Sequence, residues 1–230
     1  MKLLALETST ENCSVALLND GKTIFKSQLA PQKHAEMILQ MVDDLIKKGN
    51  ISKDDLSGIV LGVGPGSFTG VRIATSTAQG LALGLSLKVA LVTSLEALAF
   101  EALSNKSAEY VVSSIDARMG EVYVAVYKVN DKSLSLLDEE RVLKPEEAVE
   151  LISSLVKNST SVVCAGSGID ILYNCGLSSE YEKLAAFPQA QYILDKGAKL
   201  FEQDKAVDPE YALPLYVRND VAWKKVSEQK

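Results

Sequence analysis

A run of glycines with one proline, Gly62-Val63-Gly64-Pro65-Gly66-Ser67-Phe68-Thr69-Gly70, leads straight into a helical stretch, Val71 to Ala82, that carries almost nothing bulky. Ser57 to Leu61 ahead of it reads as the end of a buried strand. The order is therefore strand, glycine turn, helix, with Ser67 or Thr69 placed to cap the first turn. Free backbone N–H groups at such a junction can hold an anion. The specific patterns for that are absent. No Gly-Lys-Ser/Thr follows as in a P-loop, and Thr69 stands where a dinucleotide fingerprint starting at Gly64 needs its third glycine. A tight structural turn is the favoured reading.

At about 100° per residue, Val71, Ala74, Ala78, Leu81, Ala82 and Leu85 share the face that belongs against the sheet. Opposite them fall Ile73, Thr77, Gly80 and Gly84, a strip without charge. Each of these glycines costs roughly 1 kcal/mol of helix propensity relative to alanine, a penalty that makes sense where another backbone comes close. A central helix buried within one domain is the alternative. A second helix, Gln32 to Lys48, has a core stripe of Ala35, Ile38, Leu39, Val42, Leu45 and Ile46, with Pro31 at its entry and Gly49-Asn50 at its exit. Met37 and Met41 lie off that stripe beside His34, and thioether side chains adapt to a partner's surface. The expectation is a protein interface built from His34, Met37, Met41, Ile73, Thr77, Gly80 and Gly84.

With 230 residues, 47% hydrophobic and 23% charged, the chain can bury one sizeable core or two, and no stretch is long enough to span a bilayer. No cleavable signal precedes Glu7, which argues for the cytoplasm and against a membrane. The three cysteines, Cys13, Cys164 and Cys175, lack any Cys-x-x-Cys spacing, so neither a disulfide framework nor a zinc knuckle is supported. A net charge of −6 argues against independent binding to RNA or DNA.

Lys2 to Glu7, Ser14 to Leu18 and Thr23 to Leu29 read as strands, the last two joined through Asn19-Asp20-Gly21, a strong hairpin signal. The helix Gln32 to Lys48, the strand Gly58 to Leu61, the small-residue helix, a strand Lys88 to Val92 and a helix Ser94 to Leu103 follow, the last with Glu96 and Glu101 facing water. A polar stretch, Ser104 to Glu109, marks a boundary. Residues 1–104 form a first lobe, and 105–230 form a smaller, degenerate second one whose C-terminal tail packs back on the first. The second half repeats the order loosely. Strands are expected at Tyr110 to Ile115, Glu121 to Lys128, near Leu134 to Leu143 and at Ser161 to Cys164, with a helix opened by Pro145, yet no residue-level repeat is visible.

Glu7-Thr8-Ser9-Thr10-Glu11, Gly64-Pro65-Gly66-Ser67-Phe68-Thr69-Gly70-Val71-Arg72-Ile73 and Ile115-Asp116-Ala117-Arg118-Met119-Gly120-Glu121-Val122-Tyr123 together resemble the TsaB family, also called YeaZ. Leu213-Pro214-Leu215-Tyr216-Val217-Arg218 is similar to that family's tail, so the resemblance spans nearly the whole chain. It implies an α/β protein of two actin-like (ribonuclease H-like) lobes, each a mixed sheet flanked by helices. It also implies a noncatalytic subunit in making N6-threonylcarbamoyladenosine at position 37 of tRNAs that read codons beginning with A. Members pair with a TsaD-like paralogue, the transferase, through helices of the N-terminal lobe, and a TsaE-like ATPase joins them. On this chain the pairing helices fall at Gln32 to Lys48 and Gly70 to Leu85. A homodimer is expected when the subunit is alone, with tRNA met only through the complex. No cofactor is expected to be required, and binding of ATP or ADP is left open at the level of the complex.

The residues themselves agree with a lack of catalysis. TsaD-like subunits hold a metal with a pair of histidines and a carboxylate, and this chain has one histidine, His34. No metal site and no catalytic residue is assigned. Glu7-Thr8-Ser9-Thr10 stands where actin-like ATPases carry an Asp-x-Gly-Thr phosphate turn, with a longer acid and no glycine. The hydroxyls of Thr8, Ser9 and Thr10 either touch a nucleotide or satisfy their own turn, the second being favoured. Gly166 and Gly168 either approach an adenosine or end a strand, and Asp116 with Arg118 reads as a salt-linked hairpin loop. Two other classes remain: a small-molecule kinase of the actin-like fold, against which the missing glycine weighs, and a metallopeptidase, against which the single histidine weighs.

Overall fold

The computed structural model describes residues 1–131, 133–157 and 159–217. Its first sheet begins with a meander of β1 (Lys2–Glu7), β2 (Asn12–Asn19) and β3 (Lys22–Leu29). Asp20 and Gly21, at φ 47° and 86°, form the two-residue turn between β2 and β3, and their left-handed backbones match the strand twist. α1 (His34–Lys48) follows, then β4 (Gly58–Gly62), α2 (Phe68–Leu85), β5 (Val89–Val92) and α3 (Ser94–Asn105). The strand order is β3-β2-β1-β4-β5, with β4 parallel to β1 and β5 parallel to β4.

The second sheet repeats this plan. β6 (Tyr110–Arg118), β7 (Glu121–Asn130) and β8 (Ser133–Leu136) form an antiparallel meander. β10 (Val162–Ala165) lies parallel to β6, and β11 (Glu182–Leu184) lies parallel to β10. The order β8-β7-β6-β10-β11 thus matches the first sheet strand for strand, and the short β9 (Arg141–Leu143) adds to the other end of β7. The duplication is topological rather than written in residues. Each lobe is a mixed sheet flanked by helices, the α/β fold class expected.

Helices do not follow a single cut in the sequence. α1 and α2 bury one face of the first sheet around Leu4, Leu6, Ile59 and Leu61, and α6 (Ala190–Glu202) covers the other around Leu3, Ala5 and Val60. α4 (Pro145–Val156) and α5 (Ile169–Asn174) cover one face of the second sheet, and α3 covers its opposite face through Leu95, Leu98 and Ala102. So α3, from the N-terminal half, completes the second core, and α6, from the C-terminal half, completes the first.

Two expectations are corrected by this packing. α1 turns a different stripe inward: His34, Ile38, Met41, Val42, Leu45 and Ile46 are buried, and Ala35 is exposed. Leu39 is 55% exposed while Met41 is 1% exposed, its sulfur 3.7 Å from Cys13 Sγ. Glu101 is buried, not solvated, because Gln189 at the start of α6 donates to its Oε1 at 3.2 Å, and Glu96 pairs with Lys196 of α6 at 2.9 Å.

Candidate partner face and interlobe cleft

The glycine turn is hydrogen-bonded to the β1–β2 turn and to the start of α3. Ser67 N donates to Ser9 O at 2.6 Å, Thr8 Oγ1 donates to Gly70 O at 2.7 Å, and Ser94 N donates to Gly64 O at 2.7 Å. A Cβ at Gly70 would overlap the Thr8 carbonyl oxygen, and one at Gly62 would overlap the Glu7 carboxylate, so these positions are glycine because two turns approach closely. Ser67 caps α2, accepting from Gly70 N at 3.3 Å, while Thr69 lies inside the helix.

Glu7 is buried at the end of β1. Its Oε1 accepts from Ser9 N at 2.5 Å and its Oε2 from Ser94 Oγ at 2.8 Å. Burial pushes the carboxyl above the usual glutamate range, and the bonds from Ser9 and Ser94 pull against that rise. Thr8, Ser9 and Thr10 are all buried, and Thr10 Oγ1 accepts from Asn12 N at 3.4 Å. Gly166 and Gly168 pack against β6: a Cβ at 166 would overlap Ser114 O, one at 168 would overlap Ser114 Oγ, and Gly168 N donates to Ser114 O at 3.0 Å.

A cleft of about 1530 Å³ opens between the lobes, lined by the β1–β2 turn, the start of α2, the β6–β7 hairpin and Ser167. Arg118 bridges the two lobes along its lining. Its guanidinium pairs with Asp116 at 3.0 Å on its own hairpin and with Glu11 at 3.0 Å on the other lobe, so the salt-linked loop read from the sequence extends across the cleft. Among the described residues no group of three or more His, Cys, Asp or Glu could hold a metal ion. No described helix is long and apolar enough to cross a membrane.

The outer face of α2 is open. Gly80 and Gly84 are exposed, with nothing within 4 Å of a Cβ built at either, and Leu83 beside them is 66% exposed. Ile73 and Thr77 are half-buried on the same strip, and Met37 of the neighbouring α1 is half-buried against the core. His34 is buried at the start of α1 against the cleft, so it and Met41 do not present their side chains on this face. Leu39 does, as does Leu83. Both carried a signal in the sequence: Leu83 is a leucine on a helix whose core stripe is already complete, and Leu39 was misassigned by the phase of α1.

Comparisons with known proteins place the chain. A family model described as TsaD, tRNA N6-adenosine threonylcarbamoyltransferase, matches residues 25–215. The chain is 40% identical over 230 residues to the tRNA threonylcarbamoyladenosine biosynthesis protein TsaB of Escherichia coli, covering 98% of each. It is 35% identical to the TsaB of Haemophilus influenzae, over 98% of this chain and 97% of the relative. The solved structure of YeaZ from Pseudomonas aeruginosa superposes with a TM-score of 0.86 at 35% identity, over 94% of this chain and 99% of that one. By full-length identity and by fold, the chain belongs to the TsaB (YeaZ) family.

Proposed function

We propose that this protein serves tRNA threonylcarbamoyladenosine biosynthesis as a noncatalytic scaffold or activator, required with a TsaD-like transferase and a TsaE-like ATPase to modify adenosine 37 of tRNAs reading codons that begin with A. The biosynthetic role rests on relatives named for it across the full length of the chain. The scaffold role is carried by one observation: a helix at the lobe surface keeps Gly80 and Gly84 bare, at a cost in helix stability that its own fold does not use.

The β1–β2 turn supports a noncatalytic reading, because the Thr8 hydroxyl is spent on Gly70 O and Glu7 lies buried behind it. With one histidine the chain cannot supply a two-histidine metal set. A net charge of −6 leaves tRNA to the assembled complex, where ATP or ADP would also act. The same face would serve a homodimer in the free subunit and the heterodimer with the TsaD-like chain in the cytoplasm, so the two would exclude each other.

The test is a charge on that face. Gly80→Arg and Thr77→Glu are expected to leave the circular dichroism spectrum intact while abolishing copurification with the TsaD-like subunit and the tRNA modification. Undiminished copurification by both variants would overturn the proposal.

A further inference from the structure

After α6 the chain passes round the β5 edge of the first sheet as a strap. Val207 and Val89 exchange backbone hydrogen bonds of 2.8 and 2.9 Å at the open edge of β5. Gln79 Nε2 on α2 then donates to the carbonyls of Pro209 and Ala212 at 3.1 Å each. Leu215 N donates to Val63 O at 2.9 Å. Finally Arg72 Nε donates to Tyr216 Oη at 3.0 Å, with its guanidinium 3.3 Å over the Phe68 ring.

α1 packs over β2 and β3, α2 over β1 and β4, and the strap lies at β5, so α2 is flanked by α1 on one side and by the strap on the other. Gln79 and Leu83 are one turn apart and share the strap side of α2. On the strap itself Tyr211 is 61% exposed and Leu213 is 59% exposed, although the backbone around them is pinned.

We infer that the strap is the third strip of the docking surface for the TsaD-like chain, with Tyr211 and Leu213 meeting that partner beside Leu83. This rests on the function proposed above. The occupant is argued from continuity with the bare α2 face and from residue type, since exposed tyrosine and leucine held on a fixed backbone suit the desolvated centre of a protein interface. The transferase model matches residues 25–215, a span that takes in α1, α2 and all but the end of the strap, so the three strips lie in the part of the chain that resembles TsaD-like proteins. Pinning by Gln79 makes the strap a preformed surface, which lowers the ordering cost of association.

The experiment is calorimetric titration of the purified TsaD-like subunit into Leu213→Glu, Tyr211→Glu, Thr77→Glu and a control, Glu150→Lys, on the exposed side of α4 in the second lobe. Leu213→Glu and Tyr211→Glu are expected to weaken binding at least about tenfold, with Glu150→Lys unchanged. Hydrogen exchange at the Leu215 amide checks that the strap stays seated. If it exchanges fast in the Glu variants, Leu213→Ala replaces them and is expected to weaken binding about fivefold. Wild-type affinity in the seated strap variants, with binding lost in Thr77→Glu, removes the strap from the interface and leaves the α2 reading standing. Wild-type affinity in Thr77→Glu as well removes both.

Discussion

Ser94 donates its hydroxyl hydrogen to Glu7 Oε2 at 2.8 Å, tying the first turn of α3 to the end of β1. The carboxylate reaches that hydroxyl across the space a side chain at position 62 would fill. Gly62→Ala is therefore expected to destabilise the fold by about 2–3 kcal/mol, because the added methyl must displace a buried, hydrogen-bonded carboxyl. Urea denaturation at neutral pH measures it, and a midpoint equal to wild type would show that the junction yields freely.

Glu101 provides a pH test. Burial raises its pKa from 4.5 to about 7, opposed by the bond from Gln189. For an acid raised in the folded state, the native form binds more protons than the unfolded one between those two values, so stability falls as pH climbs from about 4.5 to about 7. Glu101→Gln keeps an acceptor for Gln189 and has no charge to desolvate. The variant is expected to show a flatter stability curve over that window and to melt higher than wild type at pH 8, as read by thermal unfolding across pH.

Much of this was legible locally. The Asn19-Asp20-Gly21 turn, the Ser67 cap and the approximate ends of the first five strands follow from short-range stereochemistry, which a sequence carries in full. The phase of α1 was not, because Ala35, Leu39 and Met41 are all apolar and two stripes fit the pattern; the contact with Cys13 on β2 decides between them. Glu101 reads as a solvated helix residue until α6 arrives from 88 residues away in the chain. The anchor of the strap left no signal either: Gln79 to Pro209 spans 130 residues and uses backbone carbonyls that any sequence would offer. The loose repeat of element order in the second half is legible, while the residues show no repeat because packing constrains which positions are apolar, not which residues fill them.

Thr8 separates a turn that holds itself together from one that holds a nucleotide. Its hydroxyl donates to Gly70 O at 2.7 Å in a buried site. Thr8→Val removes the donor while keeping the shape, and Gly70 O keeps its partner within α2, so a loss of about 0.5–1.5 kcal/mol is expected. Titration of ATP into the wild type and the variant supplies the second reading. Equal affinities, or no binding by either, fit a structural hydroxyl, and a selective loss of ATP binding in the variant would assign it to a ligand.

Gly80 sets monomer stability against assembly. A Cβ there meets nothing within 4 Å, and the residue lies inside an 18-residue helix. Gly80→Ala should accordingly stabilise the isolated fold by about 0.5–1 kcal/mol, since alanine loses less backbone entropy in a helix. If the glycine serves close approach by another chain, the same methyl must weaken association with the TsaD-like partner while the melting temperature of the dilute monomer rises. Those opposite signs in one variant are the expected result, measured by calorimetry of binding and by thermal denaturation. A variant that melts higher and binds as well as wild type would mean that the bare strip is not what the partner touches, because a tight helix contact leaves no room for an unnoticed methyl.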